Sequence, residues 1–498
     1  MSERHTRRQF LRRGSAATLV AASAPALLAS AAPAATTAEL RRRLRGTLLT
    51  PRDAGWDAAR ALRNPRLDVE PRAIAFCETS ADVAEVVRFA RSRGWPVAAR
   101  GGRHSFAGYG NVPDGIVADV SRIAAVRLER DRPVVRIGGG AEVLDVYRDL
   151  VLARGRALPV GTCPTVGIAG LTLGGGFGRL MRRYGVTADS LRAATVVLAD
   201  GRVVRCSEDH RADLLWALRG GGAGFAIVTQ LRYAARSAPD GPIAFTLAYP
   251  WTQAAAAIDA WQRTLPGAPT TLSYGRLRAL RLRDGALTLT ASGHWYGSEA
   301  SLRALLGPLV AAGPARQTLR RRTFAEAALP DRVQLRDGRP VLGDVSRFPN
   351  YQRSDFFAAP LPMPAIAALV AAIERWPGAG GGGHEGGVQL DALGGAVNRP
   401  AAGATAFVHR GQRMHCAYLS FWGASDPAPM VAASTQWVRD TQAVLAPHAS
   451  GHAFQNYIDP ELASWEHAYF GANLPRLKAV KRRYDPAARF AFAQGVTR

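Results

Sequence analysis

The sequence predicts an α+β protein of two units, with an antiparallel sheet in the second and the end of the chain returning to the first. Three observations carry this. Residues 73–99 read strand, helix, strand and run directly into a glycine-rich loop, the opening of a layered unit with a ligand loop at a strand end. Near Ser237–Pro242 the texture changes to alternating apolar runs, such as Leu287–Ser292 and Met414–Phe421, between Ala-rich helices. Such alternation marks a sheet with one face on the core and one working face. From Asn456 onward the chain is helical through Trp465 and Lys481. At 498 residues it exceeds what one hydrophobic core organises.

The elements follow in order. Residues 1–35 carry Arg7-Arg8 with Phe10-Leu11, then Arg12-Arg13 and no further charge until Glu39, and Ala32-Pro33-Ala34 is a small-residue cleavage site. This predicts an export signal of twin-arginine type, read by a translocon that exports folded proteins. A helical lead-in is expected around Thr36–Leu49. Ala73–Cys77 is a strand, and the following helix is capped by Ser80 and ended by Gly94. Trp95–Ala99 is the next strand. Ile116–Val120, Ala125–Leu128 and Val134–Ile137 are short strands, and Ala141–Arg154 is a helix. Leu191–Leu198 and Arg202–Cys206 flank an Asp200-Gly201 turn, and Ala226–Tyr233 is a further strand. The expected division is 36–238, 239–450 and 451–498.

Composition excludes several classes. No segment after the signal approaches a membrane span. The four cysteines, Cys77, Cys163, Cys206 and Cys416, are far apart and suit neither a zinc site nor a disulfide framework, so no metal is expected. Of the net charge of +25, residues 1–45 supply +7. The other arginines are spread along the chain without a recognition motif, which points to a basic surface and no specific nucleic-acid partner.

Two glycine loops carry the ligand argument. Arg100-Gly101-Gly102-Arg103-His104-Ser105 follows a strand and lets backbone N–H groups approach a phosphate. It lacks the Gly-Lys-Ser/Thr of a nucleotide loop and the spacing of the dinucleotide fingerprint. The run Gly161–Gly178 holds seven glycines among eighteen residues. Its Val166, Ile168, Leu171, Leu173 and Phe177 would be wasted in a linker, so it is expected to wind along a large flat ligand.

These loops, with Arg183–Asp189, Leu390–Val397, His409-Arg410, Asn456-Tyr457-x-Asp459, Tyr469-x-Gly471-x-Asn473 and Tyr484-Asp485-Pro486, resemble the berberine-bridge-enzyme-like group of the vanillyl-alcohol-oxidase/PCMH flavoprotein superfamily. The resemblance spans roughly residues 72–494. It implies a two-part PCMH-type FAD-binding domain, a substrate domain with an antiparallel sheet, and FAD linked bicovalently through His104 and Cys163. Arg100, Gly101, Gly102, Arg103, Ser105, Thr165, Gly167, Gly170, Gly174, Gly175, Gly176, Gly178, Ile227 and Asn456 are then expected around the cofactor.

The resemblance further implies hydride transfer from a small-molecule alcohol, with oxygen as acceptor and Tyr457 as base. Tyr418 stands where berberine bridge enzymes proper carry a catalytic glutamate, which favours plain dehydrogenation over ring closure. Asp391 or Glu385 would assist. The alternatives are a dehydrogenase of the same fold using another acceptor and a non-catalytic flavin- or carbohydrate-binding secreted module. Trp251, Trp261, Trp295, Tyr296, Tyr351, Phe356 and Phe357 either line a sugar platform or fill the second core.

Overall fold

The structure, a computed structural model, describes residues 36–130, 132–343, 347–380 and 384–497. The expected export signal lies outside the described residues.

Ala73–Phe76, Ile116–Asp119 and Val97–Arg100 form a parallel three-strand core, with Thr47–Leu49 added antiparallel at one edge. Parallel pairing requires a crossover, and the helix Ser80–Arg93 supplies it. Its N-cap is Thr79, one residue earlier than expected. Thr79 Oγ1 accepts from Asp82 N–H (3.1 Å), and the Asp82 carboxylate accepts from Thr79 N–H (3.1 Å). Ser80 instead donates to Thr229 Oγ1 (2.8 Å) in the neighbouring sheet. The lead-in helix is also shorter, Thr37–Arg43. Gly46 lies flush on the Phe76 carbonyl and turns the chain into the edge strand.

An antiparallel sheet of Val126–Leu128, Val134–Gly138, Ile227–Ala234, Leu191–Val197 and Val203–Ser207 completes the first half. Val83, Val86 and Ala90 of the crossover helix share one core with Val97, Ile116, Val197 and Ile227, which locks the two sheets together. The helix expected over Ala141–Arg154 is Val143–Val146 followed by a wider-pitched turn, Tyr147–Leu152. There the Tyr147 hydroxyl donates to Ala325 O of the second half (2.8 Å).

The second half is a seven-stranded antiparallel sheet in the order Arg316–Arg321, Ile243–Tyr249, Leu287–Trp295, Leu272–Leu282, Glu385–Ala392, Met414–Phe421, Asn350–Phe357. Helices Ala254–Thr264, Glu299–Ala311, Met363–Glu374 and Ala428–Leu445 cover one face. Trp261, Trp295, Tyr351 and Phe357 are buried in that core rather than forming a platform. Each fully buried large side chain contributes about 1.5–3 kcal/mol. The chain then returns. Tyr469, Phe470, Leu477 and Val480 of Trp465–Phe470 and Leu474–Tyr484 pack into the core of the first half's antiparallel sheet. Among the described residues, no helix is long and apolar enough to cross a membrane.

Candidate active site

The first loop leaves the strand Val97–Arg100, and Arg100 is its anchor. It is 2% exposed, binds Asp119 at 2.7 Å and donates to Asn111 Oδ1 at 2.7 Å, so its guanidinium is committed to the scaffold and not to a ligand. Gly101 rests over Gly139 and Gly140, part of a three-glycine strand end that the sequence reading passed over. Its signal was three consecutive glycines at the end of Val134–Gly138. Arg103 has φ +63°, the left-handed region a side chain rarely adopts, and Ser105 Oγ accepts from Tyr109 N–H (3.1 Å) to close the loop.

A Cβ on Gly102 would fall on Gly167 N and Thr165 O, so the two loops meet main chain to main chain. That contact brings His104, Cys163 and Thr165 together. Thr165 Oγ1 is 2.9 Å from His104 Nε2 and 3.8 Å from Cys163 Sγ. Burial, helped by the charge of Arg63, lowers the His104 pKa to about 4, so its imidazole is neutral near pH 7.

The rest of the second run is closely packed by protein. It holds a short helix, Ile168–Leu173, and its later glycines make room for protein. Gly174 lies against Asn456, Gly175 against Phe407, Gly176 against Thr187 and Gly178 against Val160 O. A Cβ on Gly170 would meet nothing within 4 Å, so this glycine faces open space where a ligand has room. The Ile227 side chain belongs to the core between the sheets. Asn456 donates to Leu171 O (3.0 Å) and so ties the returning segment to the loop of Cys163.

Opposite the loops is the face of the large sheet that the helices do not cover. Directly paired residues share a face, and the register places Arg276, Asp391, His415 and Phe356 in one row across four strands. Asp391, 2% exposed, accepts from Arg276 Nε (2.8 Å) and Gln389 Nε2 (3.1 Å), and its Oδ2 lies 3.6 Å from His415 Nδ1. Burial works against its charge, but Arg276 and His415 outweigh burial and hold the carboxyl below its usual range. Burial lowers the pKa of fully buried His415 more than Asp391 raises it.

Tyr457 completes the group. Its ring stands 5.4 Å from that of His415, 5.3 Å from Phe454 and 5.4 Å from Phe106, the residue after Ser105 in the first loop. Burial first, then the charge of Asp391, pushes its phenol up to about 12.

Tyr418 is a correction. It points to the helix-covered face, 0% exposed beside Cys416 and Asp355, because it lies an odd number of residues from His415. It is not in the site. Glu385 shares the face of Asp391 but pairs with Arg278 (2.8 Å) further along its strand. Sequence reasoning missed Arg276 and His415. The signal was strand parity: once Asp391 is assigned to the open face, its cross-strand neighbours follow.

The donor set fits a covalently held flavin. Cys77, Cys206 and Cys416 are buried, whereas Cys163 is partly exposed beside a neutral imidazole, and all four thiols are free. His104 Nδ1 makes no hydrogen bond among the described residues.

The chain matches an FAD binding domain over residues 71–207 and a berberine and berberine-like domain over residues 453–497. It is 30% identical over 466 residues to the FAD-linked oxidoreductase YgaK of Bacillus subtilis, covering 91% of this chain and 97% of that protein. It superposes with TM-score 0.83 on BBE-like 1 of Physcomitrella patens, at 24% identity, with 93% and 99% of the two chains covered. Glucooligosaccharide oxidase from Acremonium strictum, studied for its 6-S-cysteinyl, 8α-N1-histidyl FAD, gives TM-score 0.80 at 27% identity, covering 91% and 97%.

Fold and site thus define an FAD-linked oxidoreductase of the oxidase type. The chain belongs to the berberine-bridge-enzyme-like family of the vanillyl-alcohol-oxidase/PCMH superfamily.

Proposed function

We propose that this protein is an alcohol oxidase that holds FAD through both His104 and Cys163 and oxidises a carbon bearing a hydroxyl group. FAD held there would supply the hydride acceptor and the route by which the electron pair reaches dioxygen to give hydrogen peroxide. The observation that carries the reading is the position of Tyr457. One segment puts Asn456 on the loop of Cys163 and Tyr457 beside the Arg276–Asp391–His415 row.

Tyr457 receives the hydroxyl proton. Its phenol is neutral at rest, so its own proton must move on as the new one arrives. His415 is the acceptor. Its ring is neutral, and Asp391, held ionised by Arg276, favours the cation formed when it takes the proton. Arg276 keeps Asp391 from becoming the terminal acceptor itself. The similarity to glucooligosaccharide oxidase supports a sugar as the substrate, and the proposal extends to a glycosylated metabolite or an aromatic alcohol.

Purified protein is screened against sugars and aromatic alcohols for peroxide release. The Tyr457→Phe variant is then mixed with the confirmed substrate in the absence of oxygen. Flavin reduction should fall by about 10²-fold or more, the range for losing a general base. Reduction within about threefold of the parent, with flavin content intact, would leave Tyr457 as a stacking residue only. Substrate that bleaches the flavin without peroxide release under air would replace oxygen by another acceptor.

Twin-arginine export belongs to the same reading, since a protein that takes up FAD as it folds needs a folded-state exporter. Arg7→Lys with Arg8→Lys should retain the precursor in the cytoplasm, and unchanged secretion would refute that route.

A further inference from the structure

Thr165 is held more firmly than a residue in a glycine-rich loop usually is. Val143 N–H donates to Val166 O (3.0 Å), Leu144 N–H to Pro164 O (2.9 Å) and Ile168 N–H to Ala141 O (2.8 Å), so the main chain is tied on both sides of it. Its own carbonyl lies against Gly102. As a β-branched residue it has few side-chain rotamers to choose from, and its hydroxyl sits 2.9 Å from His104 Nε2. The nearby hydroxyl of Ser105 is already engaged by Tyr109 N–H.

We infer that Thr165 decides which nitrogen of His104 carries the flavin: its hydroxyl occupies Nε2 and leaves Nδ1 as the nucleophile. This rests on the proposed covalent attachment and deepens it. A neutral imidazole has one N–H and one free lone pair. With Nε2–H donating to Thr165 Oγ1, the lone pair is on Nδ1. Attachment forms one bond, from Nδ1 to the flavin 8α carbon. It breaks one methyl C–H bond and the imidazole N–H bond, and the two electrons and two protons released reduce dioxygen to hydrogen peroxide. Thr165 is unchanged but reverses its role. Its hydroxyl accepts from Nε2–H before the bond forms and donates to the Nε2 lone pair afterwards, since one hydroxyl oxygen serves in both roles. Thr165 is therefore a positioning residue, 3.8 Å from the second attachment atom, Cys163 Sγ.

The test reads the chemical identity of the linkage. Holoproteins of the parent, Thr165→Val, Thr165→Ala and Thr165→Ser are digested, and the histidyl flavin released by acid hydrolysis is compared chromatographically with synthetic 8α-N1- and 8α-N3-histidyl riboflavin. The parent and Thr165→Ser should give the Nδ1-linked isomer. In Thr165→Val, which keeps the branched shape, the ratio of Nε2-linked or histidine-unlinked flavin to the Nδ1 isomer should rise roughly fivefold or more, the factor for one lost hydrogen bond. Thr165→Ala provides the same reading should valine prevent folding. Variants that give only the Nδ1 isomer at the parent's yield overturn the inference while leaving attachment intact. A parent whose flavin is not linked to His104 at all overturns the attachment reading and the inference with it.

Discussion

At the anchoring loops Gly102 meets Gly167 with no side chain between them, whereas the face opposite is assembled from the side chains of Arg276, Asp391 and His415 standing in register on three strands. The first region is built by removing atoms and the second by placing them. A site built from main chain tolerates no substitute at its contact points, so its glycines appear in the sequence as a motif. A site built on strand parity is defined by register, and register is a property of pairs of strands that a single strand's sequence does not show.

The contrast breaks most sharply at Gly102. In Gly102→Ala the new methyl lands on Gly167 N and Thr165 O, and neither is a side chain that can swing aside. The loops would separate, and His104, Cys163 and Thr165 with them. Flavin content, read as absorbance near 450 nm per mole of protein, should fall by about tenfold or more, the factor for little more than 1 kcal/mol of overpacking strain. Full flavin loading in this variant would mean that the loops approach each other only in the absence of ligand.

On the sheet the corresponding test compares two tyrosines on opposite faces. Tyr457→Phe should reduce the rate of flavin reduction by about 10²-fold. Tyr418→Phe should leave that rate within about threefold and instead shift thermal stability by about 1 kcal/mol, since its hydroxyl lies in the buried group with Asp355 and Cys416. Equal kinetic losses in the two variants would mean that the face assignment is wrong.

This is also where the sequence was and was not legible. The layered opening, the alternating strands and the returning C-terminal helices were readable because each is a local periodicity. The loop glycines were readable because close backbone approach admits few residues, whereas His104 and Cys163 were singled out only by the family resemblance that those loops carry. Even there the reading of Gly174, Gly175, Gly176 and Gly178 as a ligand cradle was incomplete. Their neighbours Asn456, Phe407, Thr187 and Val160 come from distant sequence, and only the packed structure shows that protein fills the space. Arg100 was expected around the cofactor, but its guanidinium is held by Asp119 and Asn111, partners that only the packed structure supplies. Tyr418 was matched to the position of the family's catalytic glutamate along a single strand, where a shift of one residue changes the face.

Glu142 tests whether the main-chain-built region depends on any buried charge. It pairs with Gly167 in an isolated bridge, next to the contact with Gly102. Burial first, then the neighbouring charge of Asp145, pushes its carboxyl up to about 7 against the opposing pull of Arg63 and Arg103. The folded state therefore favours the protonated acid more than the unfolded chain does. That stabilisation is complete below the ordinary value of 4.5 and is lost as pH rises through about 7. Glu142→Gln mimics the neutral acid at every pH. Its thermal stability should match the parent near pH 4.5 and exceed it at pH 8 by about 1–2 kcal/mol, a discounted value for a partly exposed group. The measurement is a pair of melting curves at a series of pH values between these limits. Parallel profiles would show that Arg63 and Arg103 keep Glu142 ionised throughout, and the seam between the loops would then hold an ion pair as well as its main-chain contacts.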